Sequence, residues 1–353
     1  MQKFLVIQTA FIGDVVLATA LIEKLHAFFP DARIDFLVRK GNEALLAGHP
    51  WLHAVLVWDK KKGKLKNLWA MGGRIRREKY DKVLNVQRFA ATGLLTAFSG
   101  AKETIGFDKN PLSRWFSKRV PHIVSVPERA GEERAGAAVA PSGVSAPLHE
   151  VERNQLLIRD FTDDVSAKPR LYPTTADEEK VSPFKVEKYI TMSPASVWFT
   201  KQYPKEKWVE FLRVLPAEYT VYLLGGPSDK ELCQQIVAES GRGKDLSGML
   251  SFLQSAALMK GAAMNYVNDS APMHFASAVN APVTAVYCST IPGFGFGPLS
   301  DIKFIVEIKE PLDCRPCGLH GYKACPRGHF NCAYKIEEAQ LLQTLINSRF
   351  NGH

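Results

Sequence analysis

Apolar runs of strand length alternate along this chain with stretches whose apolar residues recur at helical spacing. KFLVIQ (3–8) is one such run, and IGDVVLATALIEKLHAFFP (12–30) follows with a helical period that stops at Pro30. RIDFLV (33–38), AVLVWD (54–59) and YDKVLNVQ (80–87) are further strand-length runs, with a short helix and turn expected over NEALLAGHPWL (42–52). Alternation of this kind predicts βαβ units and a parallel sheet, because parallel partners need a crossover that a helix normally supplies. HEVERNQLLIRDF (149–161) is expected to form an amphipathic helix.

A polar, Pro-containing stretch at 163–187 interrupts the pattern, which then starts again. YITMSPAS (189–196), TVYLLGGPSD (220–229), AMNYVNDSAP (263–272) and PVTAVYCST (282–290) supply apolar strands. KEKWVEFLRVL, KELCQQIVAES, SFLQSAALMKGA and PMHFASAVNA lie between them as helices, and IEEAQLLQTLINSRF closes the chain as another. The prediction is an α/β protein of two doubly wound domains, 1–165 and 166–353, facing a central cleft. Ligands would bind there, outside the carboxyl ends of the strands. The segment 126–147, rich in Ala, Gly, Pro and Ser and lacking large apolar residues, reads as a mobile loop.

With 353 residues the chain is long enough for two such domains, and 46% hydrophobic and 23% charged content suits a soluble globular protein. The opening MQKFLVIQTAFIGD lacks the charged, apolar and cleavage regions of a secretory signal, and no apolar stretch is long enough to span a bilayer. A cytoplasmic protein is expected. The net charge of +9 is concentrated in DKKKGKLKNLW, GRIRREKYDK and SRWFSKRVPH, all in the first third. Such a face suits an anionic partner, although basic runs are often only solvated surface. No nucleic-acid module accompanies it, so a nucleic-acid partner is not expected.

Asp14 follows Gly13 in the turn after the first strand, where a partly buried carboxylate could take a proton from an attacking hydroxyl; equally, it could cap the first helix. Asp269 and Ser270 end a strand and open a helix whose first turn holds His274. A helix N-terminus accommodates a diphosphate, though the same residues could serve as a cap beside a surface histidine. Ser193 ends a strand, and Lys201 in the following loop could neutralise a leaving diphosphate or stand idle at the surface. Gly225 and Gly226 permit close backbone approach to a ligand, or merely a turn. Cys314, Cys317, Cys325 and Cys332 open with C-x2-C spacing compatible with zinc, but the later spacings are not those of a zinc ribbon; reduced thiols in a compact loop are the alternative. There is no G-x-G-x-x-G, Walker loop, G-x-S-x-G or kinase set. Nor is there a D-x-D pair for a diphosphate-bound metal, so cationic side chains and a helix N-terminus would do that work.

FIGDVVLATALIEKLHAFFPDARIDFLV resembles the opening of the lipopolysaccharide heptosyltransferases of glycosyltransferase family 9. YDKVLNVQRFAATGLLTAFSGAKETIGF, HEVERNQLLI, SPASVWFTKQYPKEKWVEFL, LLGGPSDKEL and the block from DLSGML to VYCST follow the family's order, as does the closing C-x-P-C to C-x-x-G-H-x-x-C segment. The likeness covers nearly the whole chain. It implies a GT-B fold of two Rossmann-like domains, the first holding the acceptor and the second ADP-heptose. It also implies inverting, metal-independent transfer with no cofactor. Asp14 would be the base, Lys201 would hold the diphosphate, and Ser193, Gly225, Gly226, Asp269, Ser270 and His274 would line the donor site with Asp229 near the ribose. The basic first domain would meet a Kdo-bearing lipopolysaccharide inner-core acceptor at the inner face of the inner membrane. Asp269-Ser270-Ala271 departs from the family's turn, which ends in glycine.

Overall fold

The computed structural model describes residues 1–61, 63–123, 148–186 and 188–350; the loop expected at 126–147 lies outside them. The chain divides into two compact units, Met1–Arg170 and Leu171–His353.

In the first unit the strands are β1 (Lys3–Ile7), β2 (Arg33–Arg39), β3 (Leu52–Trp58), β4 (Lys82–Asn85), β5 (Glu103–Phe107) and β6 (Lys118–Val120). They form one sheet ordered β3-β2-β1-β4-β5-β6, parallel throughout. Helices α1 (Ile12–Phe28), α2 (Lys64–Glu78), α3 (Ala90–Ala97) and α4 (Glu150–Gln155) cover it. A parallel sheet covered on both faces buries both sets of side chains, which is why Phe4 to Ile7 are all buried and read as an unbroken apolar run. Helix α1 is buried from Val15 to Ile22, whereas α2 turns only Leu68, Met71 and Ile75 inward. That stripe joins Leu5, Ile7, Trp58, Tyr80 and Val83 in the core.

The second unit repeats the plan with β7 (Tyr189–Ser193), β8 (Thr220–Leu223), β9 (Lys244–Asp245), β10 (Met264–Asn268), β11 (Val283–Tyr287) and β12 (Lys303–Glu307). Their order, β12-β11-β10-β7-β8-β9, is the first unit's order read from the other edge, again with parallel pairs. Helices α5 (Thr175–Val181), α6 (Lys205–Val214), α7 (Lys230–Ser240), α8 (Phe252–Lys260), α9 (Ala271–Ala278), α10 (Asn331–Tyr334) and α11 (Glu338–Phe350) complete it. Its core gathers Trp208, Phe211, Leu223, Tyr266, Val286, Ile336 and Leu341. The expected α/β class with two Rossmann-like units is present.

One local expectation is corrected, and one stretch proves to hold an element of its own. The helix expected over 149–161 stops at Gln155, because the Leu157 and Ile158 N–H groups donate to carbonyls only three residues back and the turn tightens. The polar stretch at 163–187 contains α5, started by a reciprocal cap in which Thr174 Oγ1 accepts from Asp177 N and the Asp177 carboxylate accepts from Thr174 N. Among the described residues no helix is long and apolar enough to cross a membrane.

Candidate functional site

In each unit the strand order reverses between two neighbours, β1 and β4 in the first, β7 and β10 in the second. Loops leaving these strands in opposite directions open a crevice at their carboxyl ends. Asp14 lies at the first of these places and Ser193, Asp269, Ser270 and His274 at the second, and each is described within its own unit.

In the first unit Asp14 is the third residue of α1, and Phe11 holds the cap position, so Asp14 is not the cap. Hydrogen bonding to the Phe11 and Asp14 backbone pulls the pKa of its carboxylate down. Burial, reinforced by the negative charge of Glu150, nonetheless raises its pKa to about 6, against the opposing pull of those hydrogen bonds and of Arg88. Glu150 is gripped by the buried Arg153, whose Nε and Nη2 donate to one of its oxygens at 2.9 and 2.7 Å.

At the same edge of the sheet, Thr9 Oγ1 donates to Gln87 Oε1 at 3.0 Å and accepts from Lys60 Nζ at 2.8 Å, and Lys60 also donates to the Thr9 carbonyl. Lys60 stands over the Trp58 ring. Its pKa is lowered to about 8, first by burial and then by Arg39 and Lys64. A carboxylate that binds a proton near neutrality thus shares a strand edge with clustered cations. The arrangement can accept a proton and attract an anionic molecule.

In the second unit Asp269 follows β10, and its Oδ2 receives Lys201 Nζ at 2.7 Å and Thr290 Oγ1 at 2.6 Å. Asp269 is therefore committed to holding a lysine. Ser270 caps α9 without a side-chain bond to the helix; Met273 N donates to the Ser270 carbonyl at 3.1 Å and Pro272 has no N–H, which leaves the Ala271 N–H as the opening group without an intrahelical partner. His274, in the same helix, is buried, not on the surface. On the adjacent strand Ser193 is buried with an Oγ that finds no hydrogen-bond partner among the described residues. Asn268 fixes the loop after β7, donating to the Pro194 carbonyl at 2.8 Å and accepting from Tyr203 N at 2.9 Å.

Gly225, Gly226 and Asp229 form a turn after β8. Asp229 Oδ2 accepts from Gly226 N at 2.7 Å, and a Cβ on Gly225 would lie 2.8 Å from that of Asp229. The first glycine thus has a packing reason of its own.

The cysteine-rich segment is tied to the base of Lys201. Tyr322 N donates to Thr200 Oγ1 at 2.7 Å, Thr200 N donates to the Tyr322 carbonyl at 3.1 Å, and Cys317 N donates to the Ser289 carbonyl at 2.9 Å. Arg315 Nε donates to the Cys288 carbonyl at 2.7 Å. Gly321, at φ +77°, passes so near that a Cβ there would stand 2.9 Å from Lys201 Cγ. All six cysteines are free thiols, and burial with neighbouring thiols pushes Cys332 up to about 12. Cys314 Sγ approaches His329 Nε2 at 3.8 Å, but among the described residues no three or more His, Cys, Asp or Glu side chains are arranged to hold a metal ion.

Lys60, Thr9, Gln87 and Thr290 carry no motif of their own. Lys60 is one lysine of a basic run, and only the fold shows which of them turns toward β1.

The glycosyltransferase family 9 (heptosyltransferase) model matches residues 68–318. Lipopolysaccharide heptosyltransferase 3 of Escherichia coli is 25% identical over 290 residues, 79% of this chain and 82% of that one. Lipopolysaccharide heptosyltransferase 1 of Pseudomonas aeruginosa is 24% identical over 339 residues, 90% and 86% of the two chains. The solved E. coli ADP-heptose lipopolysaccharide heptosyltransferase II superimposes with a TM-score of 0.77 at 20% identity, covering 99% of each chain.

Proposed function

We propose, from the premise that this chain belongs to glycosyltransferase family 9 (heptosyltransferase), that it moves heptose from ADP-L-glycero-D-manno-heptose to the Kdo/heptose inner core of lipopolysaccharide, with inversion and without a metal. The observation that carries this reading is Asp14: a carboxylate at the crevice edge of the first unit, with its pKa raised to about 6, among cations suited to an anionic acceptor.

In this mechanism an acceptor hydroxyl oxygen attacks the anomeric carbon from the face opposite the leaving group. The bond from that carbon to the diphosphate oxygen breaks, ADP departs, and the hydroxyl proton passes to Asp14. Charge grows on the diphosphate as the bond lengthens, so the groups that bind it do most where the transition state needs them. Lys201, preset by Asp269, and the Ala271 N–H opening α9 are those groups, with Ser193, Ser270 and His274 beside them. The acceptor unit is 1–165 and the donor unit 166–353, with Asp229 near the ribose. The protein works in the cytoplasm, at the inner face of the inner membrane where a lipid-borne acceptor is presented.

A second reading keeps fold and chemistry but changes the nucleotide sugar. It is favoured by Ala271, which opens α9 where the resemblance calls for glycine.

The test is transfer from ADP-heptose to Kdo-lipid A and to its monoheptosylated form with excess chelator present, beside Asp14→Asn. Turnover that survives the chelator and disappears in the variant supports the reading and names the acceptor. ADP binding without turnover on either acceptor points to the second reading, and turnover that the variant retains removes Asp14 from its role.

A further inference from the structure

Helix α2 has two faces of different character. Leu68, Met71 and Ile75 are buried in the core of the first unit, whereas Leu65 and Trp69, one turn apart, are 70% and 72% exposed. A lone exposed apolar residue needs no explanation, but a leucine–tryptophan pair inside a ring of cations does. At about 100° per residue, Lys66, Arg76 and Arg77 fall within roughly 80° of Trp69 around the helix. Lys64 and Arg74 lie about 140° from Trp69 and do not belong to this face, and Lys60 and Lys61 precede the helix. Its one acidic residue, Glu78, is paired with Arg33 at 2.9 Å and so does not offset them.

The location matters as much as the composition. Helix α2 follows β3, and in a parallel sheet the helix after a strand begins at that strand's carboxyl edge. The first two turns, which carry Leu65 and Trp69, therefore start at the edge that holds Thr9, Lys60 and Asp14. Phe11 and Phe89, at the cap positions of α1 and α3 on the same edge, are also exposed. Leu65, Trp69, Phe11 and Phe89 thus share the carboxyl edge with Lys60, while Arg76 and Arg77 extend the basic face along α2 to its last turn.

We propose that the Leu65–Trp69 face of α2, with Lys66, Arg76 and Arg77, seats the protein on an anionic phospholipid bilayer. Trp69 and Leu65 enter the boundary between headgroups and acyl chains, where an indole is favoured, while the long basic side chains reach the lipid phosphates. Charge selects this occupant over a second copy of the chain, because pairing two such faces would oppose like charges. Since no described helix can cross a membrane, the contact is one of surface and not of span. The inference rests on the proposed lipid-borne acceptor for its purpose, but its test involves no sugar transfer.

The experiment is co-sedimentation of the full chain with vesicles of phosphatidylcholine alone and with phosphatidylglycerol added, across a range of salt, with tRNA as competitor. The expected result is binding only to the anionic vesicles, weakening with salt, and loss of about tenfold in partition for Leu65→Ser/Trp69→Ser. Lys66→Glu/Arg77→Glu should lose binding as well, with the unfolding midpoint of both variants unchanged. Undiminished binding in both variants overturns the proposal, as does equal binding to neutral vesicles or none by the parent chain. A shift from dimer to monomer in the first variant would reassign the face to a second copy, and displacement by tRNA with tighter tRNA binding would reassign it to nucleic acid. Since no donor is present, failure here leaves the transfer reaction untouched, and failure of transfer leaves this result standing.

Discussion

Lys201 Nζ lies 2.7 Å from Asp269 Oδ2, with the two side chains 16% and 7% exposed. The lysine is held in place before any ligand arrives, so less side-chain freedom is lost when a diphosphate binds. Lys201→Ala should weaken ADP binding by about tenfold to a hundredfold, measured calorimetrically, while Asp14→Asn binds ADP as the parent does. Asp269→Ala strands both Lys201 and Thr290 and should cost about 2–3 kcal/mol in stability. Equal loss of ADP affinity in the Asp14 and Lys201 variants would show that the roles are not divided this way.

Asp14 sets a pH dependence in two observables. A base with a pKa of about 6 must be ionised, so kcat/KM should fall tenfold per pH unit below that point. Stability moves the other way. Folding raises this pKa above its unfolded value, so the folded state binds more protons between about pH 4 and 6, and stability declines as pH rises through that window. Asp14→Asn removes the effect. It should be more stable than the parent at pH 7, by at most about 3 kcal/mol, with the difference vanishing below about pH 4. Urea melts at pH 4 and 7 measure it; a variant no more stable at pH 7 would contradict the burial of this carboxylate.

Gly321→Ala should disturb the donor unit from outside its sheet. The new Cβ meets Lys201 Cγ and Thr200 Oγ1 at 2.9 and 3.1 Å on a backbone at φ +77°. A loss of about 1–2 kcal/mol from the left-handed backbone alone is expected, together with weaker ADP binding because Lys201 must shift. A lower melting temperature with unaltered ADP affinity would separate the loop from the lysine.

Lys60 is expected to act on the acceptor and not on ADP. Lys60→Met should raise the acceptor KM with little change in kcat or ADP affinity. In the parent enzyme the acceptor KM should worsen above about pH 8, as the ammonium loses its proton, and Lys60→Arg should abolish that rise. Steady-state kinetics from pH 7 to 9 decide it, and a flat profile in the parent would remove Lys60 from acceptor binding.

Most of the strands that can be read in the sequence are central ones, although β3, at a sheet edge, is also legible in AVLVWD (54–59). β1, β2, β7, β10 and β11 are covered on both faces and leave continuous apolar runs. β6 and β12, also at sheet edges, leave no such trace, β6 being only Lys-Arg-Val. Helix α2 lay hidden for a related reason: its charges dominate the stretch, and the three-residue stripe of Leu68, Met71 and Ile75 is sparse. At the site, residues at strand ends could be singled out because a parallel sheet puts chemistry there. Their partners could not. Thr290 reaches Asp269 from 21 positions away and Lys60 reaches Thr9 from 51, and no local pattern encodes such pairings. The Asp269 carboxylate, a candidate ligand contact by position, proves to be occupied by Lys201, which sequence spacing alone does not disclose.

Each sheet is completed by strands from its own half of the chain, with the division falling between Arg170 and Leu171. A crossover there between two relatives would cut no ladder of hydrogen bonds and would divide neither core. The joint is therefore a natural splice point. Chimeras made at it should keep both cores intact, and under the proposed division of labour they would pair the acceptor unit of one parent with the donor unit of the other.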